Sequence, residues 1–296
     1  MIAAKEGDSA SVARMISEGH NLDARSRYRW TAMMFASWQG HEDVVRLLFE
    51  AGADADLVSK PISGGWLATT GQYPETSALL EAIRNGWYDI AEYLIDQGVV
   101  VTATAFTAAG SFGTPELLER MVNSGTPINT VWTNQHYYRT ALSEAAQNGQ
   151  VENMVWLLDN GADPNISLGE RTHLSQAMRS EQPEVVALLL DAGADVDALV
   201  RGGGTALSHA LRYQYFGEKS VQQLQIVELL LENGANPDHR PSERQSSLIE
   251  RTEADIELGI ARSTDPERSA KAQERSRRTV ASNRKILQLL QAYQNR

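Results

Sequence analysis

The sequence predicts an all-α protein built as a solenoid of helix-turn-helix repeats joined by turns, and two recurring marks predict it. The first is a Ser or Thr opening a short apolar run, with a small or polar residue, usually Gly, nine positions on. Its copies read TAMMFASWQG from Thr31, SALLEAIRNG from Ser77 and TATAFTAAGSFG around Thr104, then TALSEAAQNG from Thr140, THLSQAMRSE from Thr172 and TALSHALRYQ from Thr205. The second mark is a Gly typically followed by a small residue and Asp or Asn, at Gly52, Gly98, Gly125, Gly161, Gly193 and Gly234. In the first five pairs the distance from Ser/Thr to this Gly is 21 residues every time. Self-similarity of this kind is the signature of stacked supersecondary units.

Each mark has a physical role. Thr31, Ser77, Thr104, Thr140, Thr172 and Thr205 stand where a helix needs an N-cap, a side-chain oxygen that accepts a free backbone N–H. The Gly closes the second helix in a left-handed conformation that other residues reach only at a cost. Between the marks lie two short helices. The second carries VVRLLFEAG, MVWLLDNG, VVALLLDAG or IVELLLENG, with apolar residues at helical spacing on one face. Helices this short are marginal alone in water, so the face must be buried on the neighbouring copy.

The segments Gly161–Ala162–Asp163–Pro164–Asn165 and Thr140–Ala141–Leu142, with Gly40–His41 leading into EDVVRLL, resemble the ankyrin repeat. The resemblance covers essentially the whole chain. It divides into repeats over 1–240, a partial first one at 2–25 and six full ones, and a degenerate capping repeat with a charged insertion over 241–296. It implies an ankyrin-repeat solenoid whose β-turn fingers and first helices line a concave face where partners bind. Arginine-rich, lysine-poor usage and drifted repeats are similar to bacterial members of that family, which include immunity proteins of secreted toxins and cell-wall enzymes, and effectors that act in host cells.

Successive Ser/Thr marks lie 46, 27, 36, 32 and 33 residues apart, against a family period of 33. The excess falls in SKPISGGWLATTGQY, where Gly–Gly, Pro and Trp66 suggest a folded loop with an aromatic anchor. The next link, 99–103, is short. One finger is therefore enlarged (59–73) and the next nearly missing, an arrangement that reads either as the drift natural solenoids show without consequence or as a notch for a partner's protrusion. A further insertion surrounds Tyr213, Tyr215 and Phe216. Near the end, Ile286, Leu289, Leu290 and Tyr293 form a stripe expected on the second helix of the cap. The preceding SAKAQERSRR reads as a solvated segment. The first repeat begins mid-pattern. A short natural cap accounts for this, as does a leader replaced by Met1, and a periplasmic or secreted location is favoured over a cytoplasmic one.

Composition narrows the function. The 27 basic and 38 acidic residues give a net charge of −11, and residues 241–296 hold 11 and 8 of them. Residues 1–240 therefore carry 16 basic and 30 acidic residues, a body that repels nucleic-acid phosphates and steers a basic partner. No run of 18 apolar residues spans a membrane. Cysteine is absent, which removes disulfides, thiolate metal sites and thiol catalysis. The six histidines form no paired metal motif, and Gly202–Gly203–Gly204 lacks the Lys-Ser/Thr of a phosphate cradle. No catalytic constellation, metal or cofactor is expected.

Aromatic placement points to protein binding, because interface hot spots favour Trp, Tyr and Arg. Tyr28 and Trp30 fall in a finger, and Trp38 at the end of the following first helix. Trp66, Tyr73, Phe112, Trp132, His136, Tyr137, Tyr138 and Tyr213 fall in loops, equivalent fingers or helix ends. Trp156 is assigned to the opposite, outward side of a second helix. The expected partner is a folded protein with a complementary basic or mixed surface, met by a chain that is monomeric when free.

Overall fold

The computed structural model describes residues 1–59, 75–133, 138–166, 168–169, 171–200, 203–212, 221–240, 246–266 and 269–294. Helices follow in pairs: α1 (Ile2–Glu6) and α2 (Ser9–Ser17), α3 (Ala32–Gln39) and α4 (Glu42–Glu50), α5 (Ala78–Arg84) and α6 (Tyr88–Asp96), α7 (Ala103–Phe112) and α8 (Pro115–Asn123). A short hairpin, β1 (Trp132–Thr133) and β2 (Tyr138–Arg139), precedes α9 (Ala141–Asn148) and α10 (Val151–Asp159). Then come α11 (His173–Ala177) and α12 (Pro183–Asp191), α13 (Ala206–Arg212) and α14 (Val221–Glu232), and finally α15 (Leu248–Thr264) and α16 (Ala270–Gln294). The chain forms two compact units, Met1–Glu144 with Asp159–Ala162, and Ala145–Leu158 with Asp163–Arg296.

The helices form where the caps place them. Thr31, Ser77 and Thr172 accept from the N–H three residues on. Thr140 with Ser143, and Thr205 with Ser208, exchange hydroxyl-to-backbone bonds in both directions. Thr104 is the exception. The cap there is Thr102, which accepts from Ala105 at 3.2 Å, so α7 starts two residues earlier and Thr104 is buried within its first turn. The six expected closing glycines have φ between 82° and 103°, the left-handed region.

Packing follows the periodicity. In the first compact unit, first helices stack α1 on α3, α3 on α5 and α5 on α7, while second helices stack α2 on α4, α4 on α6 and α6 on α8. Each second helix buries a stripe such as Val44, Val45 and Leu48, or Leu117, Leu118 and Met121. In the second compact unit α11 packs on α13 and α12 on α14, burying Val185, Val186 and Leu189 against Ile226, Val227 and Leu230. A side chain this deeply buried contributes about 1.5–3 kcal/mol relative to exposure.

A side-chain relay links the fingers. The carboxylate or amide oxygen four residues after one closing Gly accepts from the backbone N–H two residues after the next. Asp23 takes Asp54 N–H at 2.9 Å, and Asp56 takes Val100 N–H at 2.7 Å. Asn165 takes Asp195 N–H at 2.8 Å, and Asp197 takes Asn236 N–H at 3.1 Å. Between Gly98 and Gly125 the relay has neither of its parts. Thr102 sits in the acceptor position but caps α7, and the residue two after Gly125 is Pro127, which has no N–H to donate.

The C-terminal pair departs most from the expected repeat. The last helix begins at Ala270, so SAKAQERSRR forms its first turns, with Lys271, Arg275, Arg277 and Arg278 exposed. Of the expected stripe, Ile286 and Leu290 are buried, while Leu289 and Tyr293 are half-buried. α15 opens with a reciprocal Ser247–Glu250 capping box and approaches α16 closely at Gly259, where a Cβ would stand 2.6 Å from Val280 Cγ2. Trp66, Tyr73, His136, Tyr137, Tyr213, Tyr215 and Phe216 lie outside the described residues.

Candidate protein-binding surface

One local rule builds the first-helix face of the repeats. The residue just before the cap folds back over the residue four after it, and the chemistry of that pair changes along the chain. In the Thr31 repeat the pair is aromatic, Trp30 tilted over Phe35 at 5.1 Å between ring centroids. In the Ser77 repeat Thr76 hydrogen-bonds the buried Glu81, which also pairs with Arg84 at 3.3 Å. In the Thr140 repeat Arg139 pairs with Glu144 at 2.8 Å, and Ser111 Oγ donates to the same carboxylate at 3.2 Å. The carboxylates Glu81 and Glu144 are 5% and 2% exposed, so at both places the residue before the cap helps to seal this face.

The Thr31 repeat is different because its aromatic rings stay at the surface. Its finger turns at Ser26, whose Oγ accepts from the N–H groups of Tyr28 and Trp30, with Arg29 in the left-handed region at φ 64°. Trp30 then meets Trp38 edge to face at 6.0 Å, and Lys5 Nζ lies 5.6 Å from the Trp38 ring centroid. Tyr28, under the Arg27 guanidinium at 4.5 Å, is 57% exposed. The rings are held by packing before any partner arrives, which lowers the entropy lost on binding.

The expected aromatics thus separate. Tyr28, Trp30, Trp38, Phe112 and Tyr138 remain at least partly accessible. Trp132 does not: its indole is 5% exposed, with the Arg139 guanidinium 5.9 Å from the ring, because β1 turns inward onto α7. As placed, it holds the finger and offers no surface. Trp156 is half-buried on α10. Tyr28, Trp30, Phe35 and Trp38 are gathered on one repeat, whereas Tyr138 stands on β2 of the later hairpin.

Phe35 was not among the aromatic candidates of the sequence, and neither were two residues of the next repeat. Trp87 packs on Gly40 and donates Nε1–H to the Trp38 carbonyl at 3.2 Å, and Tyr88 donates its hydroxyl to the Phe112 carbonyl at 2.6 Å. The signal was present: Gly86–Trp87 occupies the place of Gly40–His41, and His41 packs on Gly7 and contacts the Lys5 carbonyl in the same way. Among the described residues no group of three His, Asp or Glu could hold a metal ion, and no helix is long and apolar enough to cross a membrane.

The profile described as "Ankyrin repeats (3 copies)" matches residues 1–60, 79–168 and 105–200, more than half of the sequence. The chain belongs to the ankyrin-repeat family. The crystal structure of the human ASB11 ankyrin repeat domain superposes with a TM-score of 0.62 at 22% identity, covering 79% of this chain and 97% of that one. Mitochondrial disaggregase of Bos taurus is 42% identical over 57 residues, 19% of this chain and 8% of that protein. The ankyrin repeat and KH domain-containing protein mask-1 of Caenorhabditis elegans is 26% identical over 173 residues, 55% of this chain and 6% of its own. Human NAD-capped RNA hydrolase NUDT12 is 37% identical over 59 residues, 20% of this chain and 13% of that enzyme. These alignments span 6% to 13% of the relatives' lengths. What they share is the ankyrin repeat, a module that binds protein partners and is typically non-catalytic.

Proposed function

We propose that this ankyrin-repeat chain captures one folded protein through the finger and first-helix face of the Thr31 repeat, and that it performs no catalysis. The observation that carries this reading is the pre-packed cluster Trp30–Phe35–Trp38, flanked by the exposed Tyr28. Rigid, partly exposed aromatic anchors are the usual carriers of interface energy. The acidic excess of residues 1–240 favours a partner with a basic or mixed surface and speeds its approach. Within that reading the chain is of bacterial type and serves as an immunity or self-protection inhibitor of a toxin or hydrolase, because capture of a single client suits an inhibitor. The α15–α16 hairpin closes the stack as its C-terminal cap, and the free chain is a monomer.

The competing reading is an effector or scaffold with several weaker clients. Affinity capture from the native cell, followed by titration calorimetry, separates the two. One stoichiometric client, bound at least tenfold more weakly by Trp30→Ala and Trp38→Ala, is the expected result. Val155→Ala on α10 leaves affinity unchanged, and circular dichroism verifies the fold of each variant. Many substoichiometric clients, indifferent to Trp30 and Trp38, would establish the scaffold instead.

A further inference from the structure

The elbows between first and second helices repeat a second arrangement, of which the reading above uses Trp38 alone. Each ends its first helix, or opens its second, with a ring at the surface: Trp38, Trp87 and Phe112 are 36%, 42% and 40% exposed. The Trp87 ring is fixed by the backbone it rests on, and the backbone at Trp38 and Phe112 is tied in turn. Gly40 lies under Trp87, Trp87 Nε1–H binds the Trp38 carbonyl, and the Tyr88 hydroxyl binds the Phe112 carbonyl. The second residue of each following helix is a carboxylate, Asp43 in α4, Asp89 in α6 and Glu116 in α8, and all three are exposed.

The charge along this edge is unbalanced. Between residues 75 and 120 the basic residues are Arg84 and Arg120. Arg84 is paired with Glu81, and Arg120 with Glu92 at 3.1 Å and Asp96 at 2.8 Å. Among the described residues neither Asp89 nor Glu116 has a cationic partner. The molecule also shows what completes such a surface. Arg46 lies 4.0 Å from the centroid of Tyr93 while it pairs with Glu42 at 2.7 Å, one guanidinium serving a ring and a carboxylate together. On Trp38 a cation, Lys5, already occupies part of the ring.

We propose that the elbow edge formed by Trp38, Trp87 and Phe112 with Asp89 and Glu116 is a docking strip for an arginine-bearing segment of a partner protein. Guanidinium groups stack on the exposed rings and pair with the adjacent carboxylates, a combination that a lysine ammonium reproduces poorly because it cannot stack as a plane. This rests on the reading of the chain as a protein-binding module and adds the edge and the chemistry recognised there.

The test titrates the full chain, by calorimetry, with a blocked 18-residue alanine-based peptide bearing four arginines at i, i+4 spacing, and with its lysine and citrulline counterparts. The arginine peptide is expected to bind saturably, at least fivefold more tightly than the lysine peptide, with the citrulline peptide showing no saturation. Trp87→His retains the packing seen for His41 on Gly7 while removing the wide ring, and is expected to weaken binding at least fivefold at unchanged melting temperature. Asp89→Asn with Glu116→Gln is expected to weaken it about threefold. Equal binding of the arginine and lysine peptides, or no effect of Trp87→His, overturns the proposal. So does light scattering that shows the chain oligomerising and the peptide dispersing it, because the basic α16 of a second copy would then be the occupant. A native client that still binds in a Trp30-dependent way while the arginine peptide does not would leave the binding module intact and remove this strip alone.

Discussion

The indole of Trp87 rests on Gly40 and closes a hydrogen bond to the carbonyl of Trp38 two residues earlier, so one side chain ties two consecutive elbows together. His41 makes the equivalent contact with Gly7 and the Lys5 carbonyl. In the second compact unit Gln182 lies over Gly149. The residue following one elbow thus acts as a clasp on the glycine of the preceding elbow, with imidazole, indole and amide used in turn. Histidine at this place is structural, which explains His41 without any ligand.

Gly40→Ala tests the clasp. At φ 81° any Cβ is strained, and here it would stand 2.5 Å from Trp87 Cδ2. The left-handed backbone costs roughly 1–2 kcal/mol and displacing a packed ring roughly 1–3. Unfolding in urea is expected to show a loss of about 2–4 kcal/mol. The same substitution at Gly52, where no atom lies within 4 Å, should cost only the backbone part.

Glu181 is a place where the sequence departs from its own pattern. It occupies the elbow position held by Gly40, Gly86 and Gly149 and takes φ 55° despite its side chain. Glu181→Gly is expected to stabilise the protein by about 0.5–1 kcal/mol, the relief of left-handed strain less the extra freedom of the unfolded chain. A melting temperature unchanged or lowered would mean that the glutamate makes a compensating contact.

His173, the first residue of α11, gives the stability a pH dependence. Burial lowers its pKa to about 4, outweighing the hydrogen bond with Pro164 and the charge of Asp163, both of which raise it. In the unfolded chain the imidazole titrates near pH 6.5. Between those values the unfolded state holds more protons, so stability is complete above about pH 6.5 and falls as pH drops towards 4, by about 3 kcal/mol at most. His173→Ala, with the residue found at this position in the Thr31, Thr140 and Thr205 repeats, is expected to flatten that slope in denaturation curves recorded from pH 7.5 to 4.

The repeat was legible because its caps and glycines are local: an N-cap and a left-handed C-terminus each need one residue type at one position. The sequence marks Thr104 where the structure caps with Thr102, because both can cap and the choice depends on a finger too short to hold the chain away from the helix. The aromatic surface was harder to read. Trp30 and Trp132 both sit in fingers, and what separates them is the partner side chain each meets, Phe35 in one case and Arg139 in the other. Trp87 was passed over because its role lies in the elbow of the preceding repeat, a relationship visible only when Gly86–Trp87 is set beside Gly40–His41. The long α15–α16 hairpin keeps the Ser cap at Ser247 but runs well past the short helices of the repeat, and its packing turns on the close approach at Gly259 and Val280.

Arg139 and Glu144 occupy the two places that Trp30 and Phe35 fill in the Thr31 repeat, which turns a natural comparison into an experiment. The ion pair is 10% and 2% exposed by side chain, and Ser111 adds a second donor to the carboxylate. Removing one partner strands the other as a buried charge, so Arg139→Met or Glu144→Leu alone is expected to cost about 3–5 kcal/mol. Removing both removes the stranded charge as well, and the aromatic pair elsewhere in the chain shows that an apolar pair fits this framework. The double variant Arg139→Met with Glu144→Leu is therefore expected to lie within about 1–2 kcal/mol of the parent, a coupling that a double-mutant cycle in urea measures directly. Singles that each cost less than about 1 kcal/mol would show that water reaches the pair and that the finger does not seal this face.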